Sequence, residues 1–172
     1  MPVCRNIAIL STKRHLVDII LGIADIHHEA LTSISMSVLE SVFRTNAFGP
    51  LILTQALLPN LTAVPNPRIG NITSRSGSIA DNTSGNFYAY RSSKAALNMI
   101  GKSMAMDLKE KSVLVAMLHP GMVATSGSGA KIGQPQVIEP QEAADKCWGL
   151  LMEKGIEDTG KFWHRDGYEI PW

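Results

Sequence analysis

The sequence predicts an α/β domain organised around a parallel sheet, and three observations carry that reading. Apolar runs alternate with longer amphipathic stretches along the chain. One run, Val113-Leu114-Val115-Ala116-Met117-Leu118, is apolar without alternation, which suits a central strand buried on both faces. The 172 residues are 45% hydrophobic and 18% charged, a composition that folds and that fits one domain better than two.

The elements follow in order from local pattern. Strands are predicted over residues 6–10 and 17–23. A helix is predicted from Ser35 to Leu58, because Val38, Leu39, Val42, Phe43, Ala47, Leu51 and Leu58 recur at three- and four-residue steps. Gly49-Pro50 falls inside it and is expected to bend or break it. A strand over residues 68–73 precedes a helix over residues 88–109, whose buried side carries Ala95, Ala96, Met99, Ile100, Met104 and Leu108. Its small residues permit close approach to the sheet or to a partner helix. After the strand at residues 113–118, the Gly-, Ser- and Pro-rich stretch 125–136 reads as a mobile loop. Pro140 opens a last helix carrying Ala143, Ala144, Cys147, Trp148 and Leu151. A strand over residues 160–163 and a turn at Asp166-Gly167 close the chain.

Charge and cysteine content exclude several classes. Sixteen Lys and Arg against fifteen Asp and Glu leave a net charge of +1 with no basic block, which argues against a nucleic-acid binder. No apolar run approaches the ~20 residues of a membrane helix. The N-terminus lacks the apolar core of a secretory signal. Two cysteines, Cys4 and Cys147, do not make a disulfide framework, so a soluble cytoplasmic protein is expected. His27-His28-Glu29 has no accompanying ligand cluster, and no metal site is expected.

Tyr90 and Lys94 lie four apart on a predicted helix and so share a face. An ammonium beside a phenol favours the phenolate and lowers its pKa, which suits a proton donor and acceptor. The same spacing also serves a plain surface contact, so the pair gains meaning from its surroundings. Ser74 leaves a strand at the end where open α/β sheets place ligands, and Pro120-Gly121 leaves the next one. Asn46 interrupts an apolar helix stripe and there needs partners, either for a site or as a structural amide at a kink.

With these residues in place the sequence resembles the short-chain dehydrogenase/reductases. The resemblance rests on Asn71-Ile-Thr-Ser74-Arg-Ser-Gly77, Tyr90-Arg-Ser-Ser-Lys94-Ala-Ala-Leu-Asn98, His119-Pro-Gly-Met-Val-Ala-Thr125 and Thr45-Asn46-Ala-Phe-Gly49-Pro. The C-terminal stretch 160–172 and Gly77–Asn82 are similar to the C-factor and Sniffer-like carbonyl reductase branch. The match runs over roughly residues 17 to 172. It implies a Rossmann-like, doubly wound parallel sheet and one domain over residues 1–172. It also implies hydride transfer between NAD or NADP and a small carbonyl or alcohol substrate.

By the same resemblance, Tyr90 exchanges the proton with the substrate oxygen. Lys94 holds the nicotinamide ribose and depresses the Tyr90 pKa. Ser74 fixes the substrate oxygen, with Ser76 and Ser78 as competing candidates. Asn46 holds a relay water. Pro120, Gly121, Val123 and Thr125 are the implied cofactor contacts, and the Asn46 and Tyr90 helices the implied homodimer interface. Ser74 and Tyr90 stand 16 residues apart, so residues 79–87 are expected to lengthen the wall of the substrate site.

The family opens with a strand, a T-G-x-x-x-G-x-G turn and a helix that receives the cofactor pyrophosphate. This chain has no such motif, and its first glycine is Gly22. The family's Asn-Asn-Ala-Gly aligns with Gly22-Ile23-Ala24-Asp25, where only the alanine is kept. The expectation is therefore an N-terminally truncated fold, with its first βαβ unit missing and no readable choice between NAD and NADP. The alternative is a catalytically silent homologue that acts as a binding or dimerising scaffold, or an incomplete sequence.

Overall fold

The computed structural model describes residues 8–12, 15–21, 30–125 and 127–172. A five-stranded sheet runs in the order β1-β2-β3-β4-β7. Its strands are β1 (Ala8–Thr12), β2 (His15–Leu21), β3 (Arg68–Ile72), β4 (Leu114–His119) and β7 (Phe162–His164). From β2 onward all neighbours pair parallel. β1 departs from the expected all-parallel order and pairs antiparallel with β2, Thr12 opposite His15. Two residues cannot supply the long crossover that a parallel partner needs. A second, two-stranded parallel sheet joins β5 (Met122–Val123) to β6 (Val137–Ile138). The sequence reading missed both, because two-residue strands carry no periodicity.

Helices cover both faces, as a doubly wound sheet requires. Val115 and Met117 of β4 and Phe162 of β7 meet Leu61 of α2 (Gly49–Thr62) and Met104, Ala105 and Leu108 of α3 (Tyr88–Leu108). Leu114, Ala116 and Leu118 of β4 point the other way, onto Cys147, Leu150 and Leu151 of α4 (Pro140–Glu153). Strict alternation on a strand apolar at every position thus fills two cores at once. Cys147 sits in the second core, and burial raises its thiol pKa to about 11. The α4 C-terminus is held by Arg68 of β3, which donates to Leu151 O at 2.7 Å and Lys154 O at 2.5 Å.

The long first helix is interrupted, though not where the sequence pointed. α1 (Met36–Phe43) gives way to a π-helical turn over Arg44–Phe48, and α2 begins at Gly49 with Pro50 in its first turn. Pro50 has no N–H to give, so the preceding turn widens and the Gly49 N–H closes on Arg44 O instead. Asn46 lies inside that widened turn. Asn6, Ile7, the 22–25 segment, Cys4 and His27-His28-Glu29 lie outside the described residues. Among the described residues there is no helix long and apolar enough to cross a membrane, and no metal-ligating cluster.

Candidate active site

Two neighbouring strand ends and one helix build the site. Thr73 N–H donates to Leu118 O at 2.8 Å, so the chain leaves β3 at Ser74 beside the point where it leaves β4 at His119. Ser74 caps a short 3-10 turn, its Oγ accepting from Ser76 N at 3.1 Å. That turn lies against α3 because Gly77 has no side chain. A Cβ there would stand 2.7 Å from the Lys94 carbonyl carbon and 2.9 Å from Ala95 N. Asn98 Nδ2 also reaches Gly77 O, at 3.4 Å. Gly101, one turn further along α3, lets the helix approach Met117 and Asn71 of the sheet.

The contact brings Ser74 and Tyr90 into a side-chain hydrogen bond. Lys94 is 2% exposed. Its Nζ donates to Ile72 O at 3.1 Å and lies 5.8 Å from the Tyr90 ring centre. Of the competing serines, Ser76 gives its backbone N–H to Ser74, and Ser78 Oγ accepts from Asp81 N.

The electrostatics correct one expectation. Burial raises the Tyr90 pKa, and the Ser74 hydrogen bond opposes that rise without reversing it. Burial also lowers Lys94 to about 7, so near neutrality its ammonium is only partly populated and cannot pull the phenol down. The Tyr90 phenol therefore keeps its proton at neutral pH.

Asn46 is fully buried, and its Nδ2 donates to Ser93 Oγ at 3.0 Å. Ser93 in turn donates to Tyr90 O at 2.8 Å. The helices carrying Asn46 and the Tyr-Lys pair are thus tied one residue before Lys94. Asn46 Oδ1 is a buried acceptor with no hydrogen-bond partner. Ser93 was not among the sequence candidates, since a serine between Tyr90 and Lys94 carries no signal of its own.

Pro120 and Gly121 lie between β4 and β5, with Gly121 at φ +74°, and Val123 ends β5. Thr125 follows in a turn closed by Ser128, whose N–H donates to Thr125 Oγ1 at 3.2 Å. His119 is half-buried with its ring edge-on to His164 at 5.3 Å, and burial lowers its pKa to about 3, so it is a neutral packing group. Residues 79–87 do border a cleft of about 300 Å³, lined also by Ser76, Arg91 and Ala95. Ser74, Tyr90 and Lys94 do not line it. Arg91 donates to Ser84 Oγ at 2.8 Å rather than to a carboxylate.

This geometry agrees with the comparisons. Residues 10–135 match the short chain dehydrogenase family model. The chain belongs to the short-chain dehydrogenase family. It is 40% identical over 146 residues to the C-signal protein of Myxococcus xanthus, covering 83% of this chain and 84% of that one. It is 36% identical over 164 residues to 1-hydroxy-2-glutathionyl-2-methyl-3-butene dehydrogenase of Rhodococcus sp. (strain AD45), covering 95% and 72% respectively. Among solved structures, NADPH-bound carbonyl reductase from chicken fatty liver superposes with a TM-score of 0.83 at 29% identity. That match spans 93% of this chain and 67% of the reductase. Carbonyl reductase Sniffer of D. melanogaster gives 0.82 at 31%, spanning 92% and 67%. These likenesses give the fold its Rossmann-like class.

A nicotinamide nucleotide needs contacts at its ribosyl-nicotinamide half and at its pyrophosphate half. Two converging hydroxyls and a buried amine suit a carbonyl oxygen and a ribose diol. The orphan Asn46 Oδ1 suits a water in the same region. The ribosyl-nicotinamide half therefore fits these residues. For the pyrophosphate half the sequence offers no glycine-rich turn of the family's type.

Proposed function

We propose that this protein is an NAD(P)-dependent carbonyl reductase or alcohol dehydrogenase using Tyr90, Lys94, Ser74 and Asn46. The observation that carries the reading is the Ser74–Tyr90 hydrogen bond beside the buried Lys94. A bound reduced nicotinamide supplies the hydride that reaches the substrate carbonyl carbon. Tyr90 gives its hydroxyl proton to the carbonyl oxygen, and its raised pKa keeps that proton available at neutral pH. Ser74 donates to the same oxygen and fixes its position. Lys94 holds the ribose hydroxyls and passes a proton back to Tyr90, which a group titrating at about 7 does readily. Asn46 holds the water that links Lys94 to solvent. Pro120, Gly121 and Val123 would flank a bound nicotinamide, and Thr125 would contact its amide or phosphate side.

The NADPH carried by the chicken reductase makes that dinucleotide the first probe, with NADH alongside. Saturable NADPH or NADH binding at micromolar concentration is expected, together with oxidation of the reduced dinucleotide by a panel of aldehydes and ketones. Tyr90→Phe should abolish turnover with the melting temperature unchanged. Binding of neither dinucleotide would sink the enzyme reading. The proposed homodimer through α2 and α3 is supported by the apolar side chains these helices expose, including Phe48 at the α2 N-cap, Ile52 and Met99.

A further inference from the structure

Arg165 is 8% exposed and follows β7, yet no carboxylate pairs with it closely; the nearest, Asp166 Oδ1, is 3.9 Å from Nε. A buried guanidinium without a close counter-ion needs carbonyl acceptors to offset its lost hydration. It finds three. Nη1 donates to Pro120 O at 2.7 Å and to Met122 O at 3.4 Å, and Nη2 donates to Gln136 O at 3.1 Å. These carbonyls belong to two segments well apart in sequence. Pro120 and Met122 flank the turn into β5, and Gln136 immediately precedes β6.

The backbone is shaped around the guanidinium. Gly121 has φ +74°, and a Cβ on it would run into Arg165. Gln136 also adopts the left-handed region, at φ +63°, which a residue with a side chain rarely takes without compensation. Its carbonyl is captured by Nη2. The two strands gripped in this way pair with each other, Met122 with Val137 and Val123 with Ile138. One planar fork thus fixes both ends of the excursion that carries Val123, Thr125 and the loop through residues 127–136.

We infer that Arg165 is the positioning residue that holds the Pro120–Val123 turn and the base of the 127–136 loop in the geometry the cofactor site uses. The cofactor part rests on the proposed function; the clamp itself does not. Lysine is a poor substitute, because a point charge on a flexible stem cannot grip both segments at once.

The test compares the full chain with Arg165→Met, Arg165→Lys and Gly121→Ala. Tryptic cleavage after Lys131 reports the loop, read as fragment masses under native conditions, and NADPH fluorescence titration reports the site. Arg165→Met should speed Lys131 cleavage at least tenfold and weaken NADPH binding at least tenfold. Arg165→Lys should fall between it and the parent. Gly121→Ala, which displaces the guanidinium from the other side, should move both readouts in the same direction as Arg165→Met. Should Arg165→Met fail to fold, Arg165→Lys and Gly121→Ala decide alone. Cleavage and affinity within twofold of the parent in the folded variants would overturn the inference. A parent chain that binds neither NADPH nor NADH would remove the proposed function while leaving the Lys131 comparison to decide the clamp.

Discussion

At the scale of single residues the unusual group is Lys94. A lysine 2% exposed, with its pKa lowered to about 7 by burial, destabilises the fold while serving the site. The sign follows from linkage. Between pH 7 and 10.5 the unfolded chain binds more protons at this position than the folded one, so stability rises with pH across that window. Lys94→Met removes the titration. Its melting temperature relative to the parent should be highest at or below pH 7, and the difference should shrink toward pH 10.5, while turnover is lost. Thermal scans of both proteins from pH 6 to 10 check this, and parallel pH profiles would refute it. Tyr90 shows the opposite bias, since burial keeps it protonated at neutral pH and suits it to reduction. Neither shift was readable from the Tyr-x-x-x-Lys spacing. The sequence suggests an ammonium acting on a phenol; burial, which depends on the rest of the fold, reverses that expectation.

At the scale of elements the site depends on one close approach. α3 carries Tyr90 and Lys94, the turn after β3 carries Ser74, and Gly77 lets the two touch. Gly77→Ala forces a methyl against the α3 backbone, a small-to-large change that costs about 1–3 kcal/mol. For a chain of this size that corresponds to a fall in melting temperature of roughly 2–12 °C. Activity should fall with it, because Ser74 and Tyr90 are pushed apart. Gly149→Ala is the control: its Cβ would meet nothing within 4 Å on α4, and removing a helical glycine should leave stability unchanged or raised by up to about 1 kcal/mol. Differential scanning calorimetry of the two variants separates the cases. The helices and central strands of this layout were legible in the sequence because they are long and periodic. The π-helical turn holding Asn46 was not. Proline disrupts the helix on its N-terminal side, where its missing N–H is felt, rather than at its own position.

At the scale of the whole molecule the sheet is covered on both faces from β3 to β7, and the helix surface beyond it is apolar in places. Ile52 is 59% exposed and Met99 67%, so Met99 points outward and not to the buried side of α3 where the sequence pattern put it. The proposed homodimer predicts that Ile52→Glu with Met99→Glu shifts the sedimentation coefficient from dimer to monomer without unfolding the chain. A parent that sediments as a monomer would refute the interface. The closing segment also acts at this scale. Trp172 stacks on Phe162 at 5.6 Å and accepts from Ala80 N at 2.9 Å, and Tyr168 accepts from Arg75 at 2.8 Å. The last residues thereby pin the stretch that follows Ser74.

The sequence by itself determined the α/β class, the elements long enough to show a period, and the candidacy of Asn46, Ser74, Tyr90 and Lys94 for the site. Those are properties of local pattern and of short motifs. Only the tertiary structure decided that Ser93 ties Asn46 to the Tyr90 helix and that Arg165 grips the segments leading into both β5 and β6. It likewise decided that burial sets the proton affinities of Tyr90 and Lys94. Each of these joins groups far apart in the chain, or depends on how much water the packed fold excludes, and neither quantity is encoded in any local stretch of residues.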